Sequence, residues 1–147
     1  MVVSYERIIS DFLTKITEYR FLNLPKSSRD EIVISYLKKA VQDFSTECRE
    51  KIVAFDDAEE TVQMENEIDE IEFCNIISDG MVYYWFYPAM HNQAILENTL
   101  NTADFSAYSP AELLKQVRAA YADCTRKYRH RLRQYSYDHG DLTDLHL

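Results

Sequence analysis

Three groups of residues in this 147-residue chain carry side chains able to do chemistry. The first is acidic. Glu65, Asp69 and Glu72 would share one face if their segment is helical, and paired carboxylates can hold a divalent cation or work on a glycosidic bond. A charge run is more often a solvated face, and that is the reading preferred here. The second is the C-terminal set His139, Asp141, Asp144 and His146, donors suited to a divalent ion. A terminal segment lacks the rigid outer shell that a metal site needs, so no metal is expected there. His91 and His130 stand alone. No serine has a G-x-S-x-G setting and no cysteine has a nearby histidine. Two glycines in the whole chain cannot build a phosphate loop or a dinucleotide fingerprint. No nucleophile, base or cofactor cradle emerges, so neither catalysis nor a cofactor is expected.

The third group is basic: Lys115, Arg118, Arg126, Lys127, Arg129, Arg131 and Arg133 crowd one segment. They can complement a helix C-terminal dipole, meet an acidic surface, or touch phosphates. Their density suits phosphate, but the net charge of −9 opposes a free nucleic-acid or anionic-membrane binder. No Lys or Arg occurs between Lys51 and Lys115, and residues 55–72 hold nine acids. An acidic face and a basic face on one chain favour contact between copies, with Asp56, Asp57, Glu59, Glu60 and Glu65 on the acidic side.

Helices must position these groups. Ser4 is placed to cap a helix running to about Tyr19, with Ile8, Ile9, Phe12, Leu13 and Ile16 as its apolar stripe. Ser28, with Glu31 three residues on, caps a second helix reaching about Cys48. The start of the acidic stretch reads as a loop, a solvated strand pair or a frayed helix. From about Glu67 a third helix begins, with Ile68, Ile71, Cys74, Ile77 and Met81 on one side. By Met81–Tyr87 it is apolar nearly all round, the mark of a central buried helix. Gly80 would admit a close neighbouring backbone, and Pro88 ends or kinks the helix. Residues 92–100 suggest a short helix or turn, and 101–108 a loop. Ser109, Pro110 and Glu112 then start a long helix with the stripe Leu113, Val117, Ala120, Tyr121, Cys124, Tyr128, Leu132 and Tyr135. Gly140 stops whatever helix persists. Beyond about Tyr135 the chain reads as an aromatic, acidic arm.

The expectation is therefore an all-α bundle of four to five helices with a long C-terminal helix, residues 1–135, and an extended tail, residues 136–147. A chain of this length buries roughly 70% of its unfolded surface, enough for one core without staples. Cys48, Cys74 and Cys124 are widely spaced and odd in number, and read as small buried hydrophobes in a reducing compartment. The opening residues do not read as a signal peptide, and the uncharged stretch 80–95 is too short for a membrane span.

Three stretches resemble the small helical head–tail connector (neck or adaptor) proteins of tailed bacteriophages. They are Asp79-Gly-Met-Val-Tyr-Tyr-Trp, Asn98-Thr-Leu-Asn-Thr-Ala-Asp-Phe-Ser-Ala-Tyr-Ser-Pro-Ala-Glu-Leu-Leu, and Tyr135-Ser-Tyr-Asp-His-Gly-Asp-Leu. The opening Ser4–Ile16 is similar to the first helix of that family. The resemblance implies a structural, non-enzymatic protomer assembled in the host cytoplasm and resident in the virion neck. It implies a ring, usually of twelve copies, between the portal protein and a stopper or tail-completion protein, with double-stranded DNA passing through. It places portal docking on Arg126, Arg129, Arg133, Tyr135, Tyr137, His139, Asp141 and Leu142, and it turns Asp56, Asp57, Glu59, Glu60 and Glu65 toward the channel or the neighbouring subunit. The competing expectations are a tail-completion protein or tail-assembly chaperone, and a small acidic metal-dependent enzyme.

Overall fold

The structure is a computed structural model and describes residues 1–17, 30–91 and 110–140. Its elements in order are β1 (Val2–Ser4), α1 (Tyr5–Ile16), α2 (Asp30–Cys48), β2 (Ile52–Asp56), β3 (Thr61–Met64), α3 (Glu70–His91) and α4 (Pro110–His139). The helical expectation holds in its broad sense. The all-α expectation is corrected by a three-stranded antiparallel sheet of order β1-β3-β2. Of the three conformations open for the acidic stretch, the strand pair is the one formed. Val62 and Met64 alternate inward while Thr61 and Gln63 face out, a period of two that four residues barely announce. The third strand is Val2–Ser4, pairing Val3 with Val62, and nothing local to the hairpin foretells so distant a partner.

The strand pair turns at Asp57–Glu60. Asp56 Oδ1 accepts from the Ala58 and Glu59 amides, each at 3.1 Å, in place of ladder bonds the turn cannot make. Glu60 sits in the left-handed region, φ 53, and its carbonyl accepts from Tyr5 N at 2.8 Å. This bond ties the turn to the head of α1. Ser4 caps α1 as expected, its Oγ accepting from Arg7 N. Ile8, Phe12 and Ile16 are buried, whereas Leu13 lies outside the stripe at 48% exposure.

α3 is the spine, packing against α1, α2 and α4. Phe73, Cys74, Ile76, Ile77, Met81, Val82, Trp85 and Phe86 are all buried on it. Ile71, expected on the apolar side, is 65% exposed in the first turn, where no helix covers it. Asp69 explains why the helix starts there. Its Oδ1 accepts from the Ile71 and Glu72 amides at 2.9 and 3.1 Å, satisfying donors that the first turn leaves free. Pro88 lies inside α3, which continues to His91. Gly80 admits side chains: a β-carbon there would stand 2.7 Å from the Tyr128 ring and 2.8 Å from the Ala40 methyl.

α4 presents Val117, Cys124, Tyr128, Leu132 and Tyr135 to the core, as its spacing predicts. It runs to His139 and stops before Gly140, so the first four residues of the expected tail, 136–139, are helical. The expectations for Ser28, residues 92–108 and Ser109 lie outside the described residues.

Candidate interaction surface

α4 carries two opposite faces. The residues at 117, 124, 128, 132 and 135 form the buried one. At about 100° per residue, Lys115, Arg118, Arg126, Arg129 and Arg133 fall on the other side, and all five are exposed. The ridge spans about 27 Å. Arg126 pairs with Asp123 at 3.1 Å, an exposed pair worth little. Lys115, Arg118, Arg129 and Arg133 have no ion pair among the described residues. Tyr137 extends this face, 81% exposed.

The predicted docking residues divide. Arg126, Arg129, Arg133 and Tyr137 are brought together on the ridge. Tyr135 is not on it; this expectation is corrected. Its side chain is buried, its ring meets Phe44 at 4.8 Å, and its hydroxyl donates to Glu50 Oε1 at 2.8 Å. A tyrosine at the end of an apolar stripe is core when a neighbouring helix reaches that far, and α2 does. His139 is exposed and stacks on Tyr135 at 4.0 Å, with Nδ1 3.1 Å from the Tyr135 carbonyl oxygen. Asp141 and Leu142 lie outside the described residues, as do Asp144 and His146 of the possible metal set.

The acidic set divides as well. Asp56, Asp57, Glu59 and Glu60 come together at the exposed β2–β3 tip, whereas Glu65 follows β3. Asp57 is held in place: Lys38 Nζ donates to it at 2.9 Å and Tyr5 Oη at 2.9 Å. These donors hold its carboxyl below the usual carboxylate range. The helix face proposed for Glu65, Asp69 and Glu72 does not form, because Glu65 precedes the helix and Asp69 caps it. Among the described residues no three histidine, cysteine or carboxylate side chains are grouped to hold a metal ion. No described helix is long and apolar enough to cross a membrane.

Sequence reasoning missed two internal clusters. Asp79, 6% exposed, sits on α3 between Lys15 of α1, at 2.9 Å, and the Arg131 guanidinium of α4. Lys15 Nζ also donates to Ser78 Oγ at 2.6 Å and to the Asn75 carbonyl at 3.0 Å. A lysine beside a serine suggests a nucleophile pair. Here the ammonium is shared among three acceptors and Ser78 is fully buried, donating to Asn75 O. The cluster is thus a brace joining α1 and α4 across the spine. Its sequence signal was one carboxylate inside an apolar helix. In the second cluster, Tyr84 and Tyr128 both donate to Asp43 Oδ2, at 2.5 and 2.9 Å. Burial first, and then the carboxylate, push both phenols well above the ordinary tyrosine value.

The buried cysteines are free thiols. Burial pushes Cys48 and Cys124 up to about 12 and Cys74 up to about 11, so none is a ready thiolate. A groove of about 280 Å³ runs between Glu72 and Ile76 of α3 and Lys127, His130 and Gln134 of α4. Its lining is of mixed sign, and its Arg131 is already committed to Asp79.

Compared with known proteins, the sequence matches no family model, no curated protein and no solved structure.

Proposed function

We propose that this chain is a structural head–tail connector of a tailed phage. It joins the portal to a stopper or tail-completion protein as a ring, with double-stranded DNA passing through without sequence-specific contact. The observation that carries this reading is the pairing of a basic ridge along the longest helix with an acidic hairpin elsewhere on the same braced helical body. A ring subunit needs two unlike faces that fit each other, and a fixed body on which to hold them. The resemblance of the Asp79, Asn98 and Tyr135 stretches to connector proteins points the same way. Portal docking falls to the last turn of α4, with Tyr137 and His139, and to the residues that follow, including Asp141 and Leu142.

Cryo-electron microscopy of the particle neck tests this reading. The expected result is a symmetric ring beneath the portal whose side chains trace this sequence. A well-resolved neck without the chain would sink the connector reading and favour a transient assembly factor. Deletion of Ser136–Leu147 supplies a second test: it should abolish portal docking while leaving the fold intact, because Tyr135, the last buried residue described, is retained.

A further inference from the structure

The acidic hairpin and the basic helix α4 attach to different sides of α2. α2 contacts both elements, through Lys38 to Asp57 of the hairpin and through Asp43 to Tyr128 of α4. Five helical residues separate Lys38 from Asp43, a rotation of about 140° around the axis of α2. The hairpin and α4 therefore leave α2 on different sides, about 140° apart.

They also stand at similar heights. Asp43 meets Tyr128 and Glu50 meets Tyr135, both with a sequence offset of 85, so α2 and α4 run parallel with a constant register. By that offset Lys38 is level with residue 123 of α4. β2 begins just after Glu50 and runs back along α2 until Asp57 meets Lys38. The acids of the hairpin lie at its tip, so they stand near the height of residue 123, about 5 Å along α4 from Arg126 and about 9 Å from Arg129. A contact between unlike faces closes into a ring only if one subunit is carried onto the next by rotation without axial rise; with a rise it makes a filament. Unlike charges at similar height, on sides of the body about 140° apart and not directly opposed, are compatible with the ring condition.

We propose that the exposed ridge formed by Arg126, Arg129 and Arg133 is the seat for the acidic β2–β3 tip of a second copy, with Glu59 and Glu60 as its leading charges. This deepens the connector reading by assigning the contact between subunits. The occupant is favoured by charge complementarity with an element that is already fixed. Asp56 closes the turn, while Tyr5 and Lys38 hold Asp57. Little ordering is left to oppose docking.

Sedimentation velocity on the full chain and two charge-reversal variants tests the contact. One variant carries Arg129→Glu with Arg133→Glu, the other Glu59→Lys with Glu60→Lys. All four positions are exposed, so circular dichroism should match the parent. The parent should self-associate at low salt and lose its faster species in about 1 M salt. Each variant alone should remain monomeric. An equimolar mixture should regain the faster species, since every contact in an alternating assembly then joins opposite charges. A monomeric parent at high concentration and low salt overturns the proposal, as does association untouched by the reversals or not restored by mixing. Loss confined to duplex-DNA retention in the ridge variant overturns it in favour of a phosphate-binding face. Swap-dependent association in a chain that never joins a portal leaves this proposal standing and removes the connector reading. A portal-bound ring indifferent to the reversals does the opposite.

Discussion

α3 and α4 are the two longest helices and pack antiparallel, with Gly80 against Tyr128 and Tyr83 against Tyr121. Their polar groups are treated in opposite ways. On α3 the buried carboxylate Asp79 is met by cations from two other helices, and Tyr84 gives its hydroxyl to Asp43. On the outer face of α4, Arg129 and Arg133 meet no acid among the described residues. A buried charge left unpaired is expensive, whereas an exposed one is nearly neutral for stability. The difference separates two jobs. The polar residues of α3 hold the body in one arrangement together with Tyr128, Arg131 and Tyr135 of α4, whereas Arg129 and Arg133 on the outer face of α4 take no part in it.

Breaking the brace should give the largest effect. Asp79→Ala leaves Lys15 and Arg131 facing each other without their shared anion and should cost about 2–3 kcal/mol in urea unfolding, since both cations reach solvent in part. A loss below about 1 kcal/mol would show that the cations escape to water. Gly80→Ala comes next. The added carbon needs room that the Tyr128 ring occupies, and Asp43 pins that ring. The overpacking cost of about 1–3 kcal/mol should outweigh the gain in helix propensity of about 1 kcal/mol. A stabilised Gly80→Ala protein would mean that the ring moves freely.

Tyr128→Phe removes one of two donors to Asp43 and should cost about 1 kcal/mol, roughly one net hydrogen bond. The same cluster sets an alkaline limit. Tyr5, Tyr84, Tyr128 and Tyr135 are raised in the folded state, by burial first and by their carboxylate partners second. The unfolded chain releases those protons near pH 10, so the stability they contribute is full below that and falls as pH rises toward the folded-state values. Absorbance of phenolate should show these four appearing only with unfolding. Simple titration of all the tyrosines near pH 10 with the fold intact would contradict the hydrogen-bonded arrangement. The smallest effect belongs to the ridge. Arg129→Glu with Arg133→Glu should change stability by less than about 0.5 kcal/mol per site while abolishing self-association.

Periodicity made the helices legible. The stripe from Val117 to Tyr135, the Ser4 cap and the apolar circumference of α3 are local patterns, and local patterns survive in one dimension. The sheet was less legible, because four alternating residues of β3 find their outer partner at Val2–Ser4. The ridge was half legible: a run of arginines shows in sequence, but its outward direction depends on which stripe is buried.

By itself the sequence determined that this chain makes amphipathic helices around one apolar helix, with acids and bases segregated along its length. Charge and period are properties of neighbours in the chain, so they need no fold to be read. Only the tertiary structure decided which charges meet. It placed Asp79 between Lys15 and Arg131, Tyr135 in the core against Glu50, and Asp57 of the acidic tip against Lys38 and Tyr5. Each of these depends on distances between residues remote in sequence. Those distances are set by the register in which the helices pack, not by the residues taken one at a time.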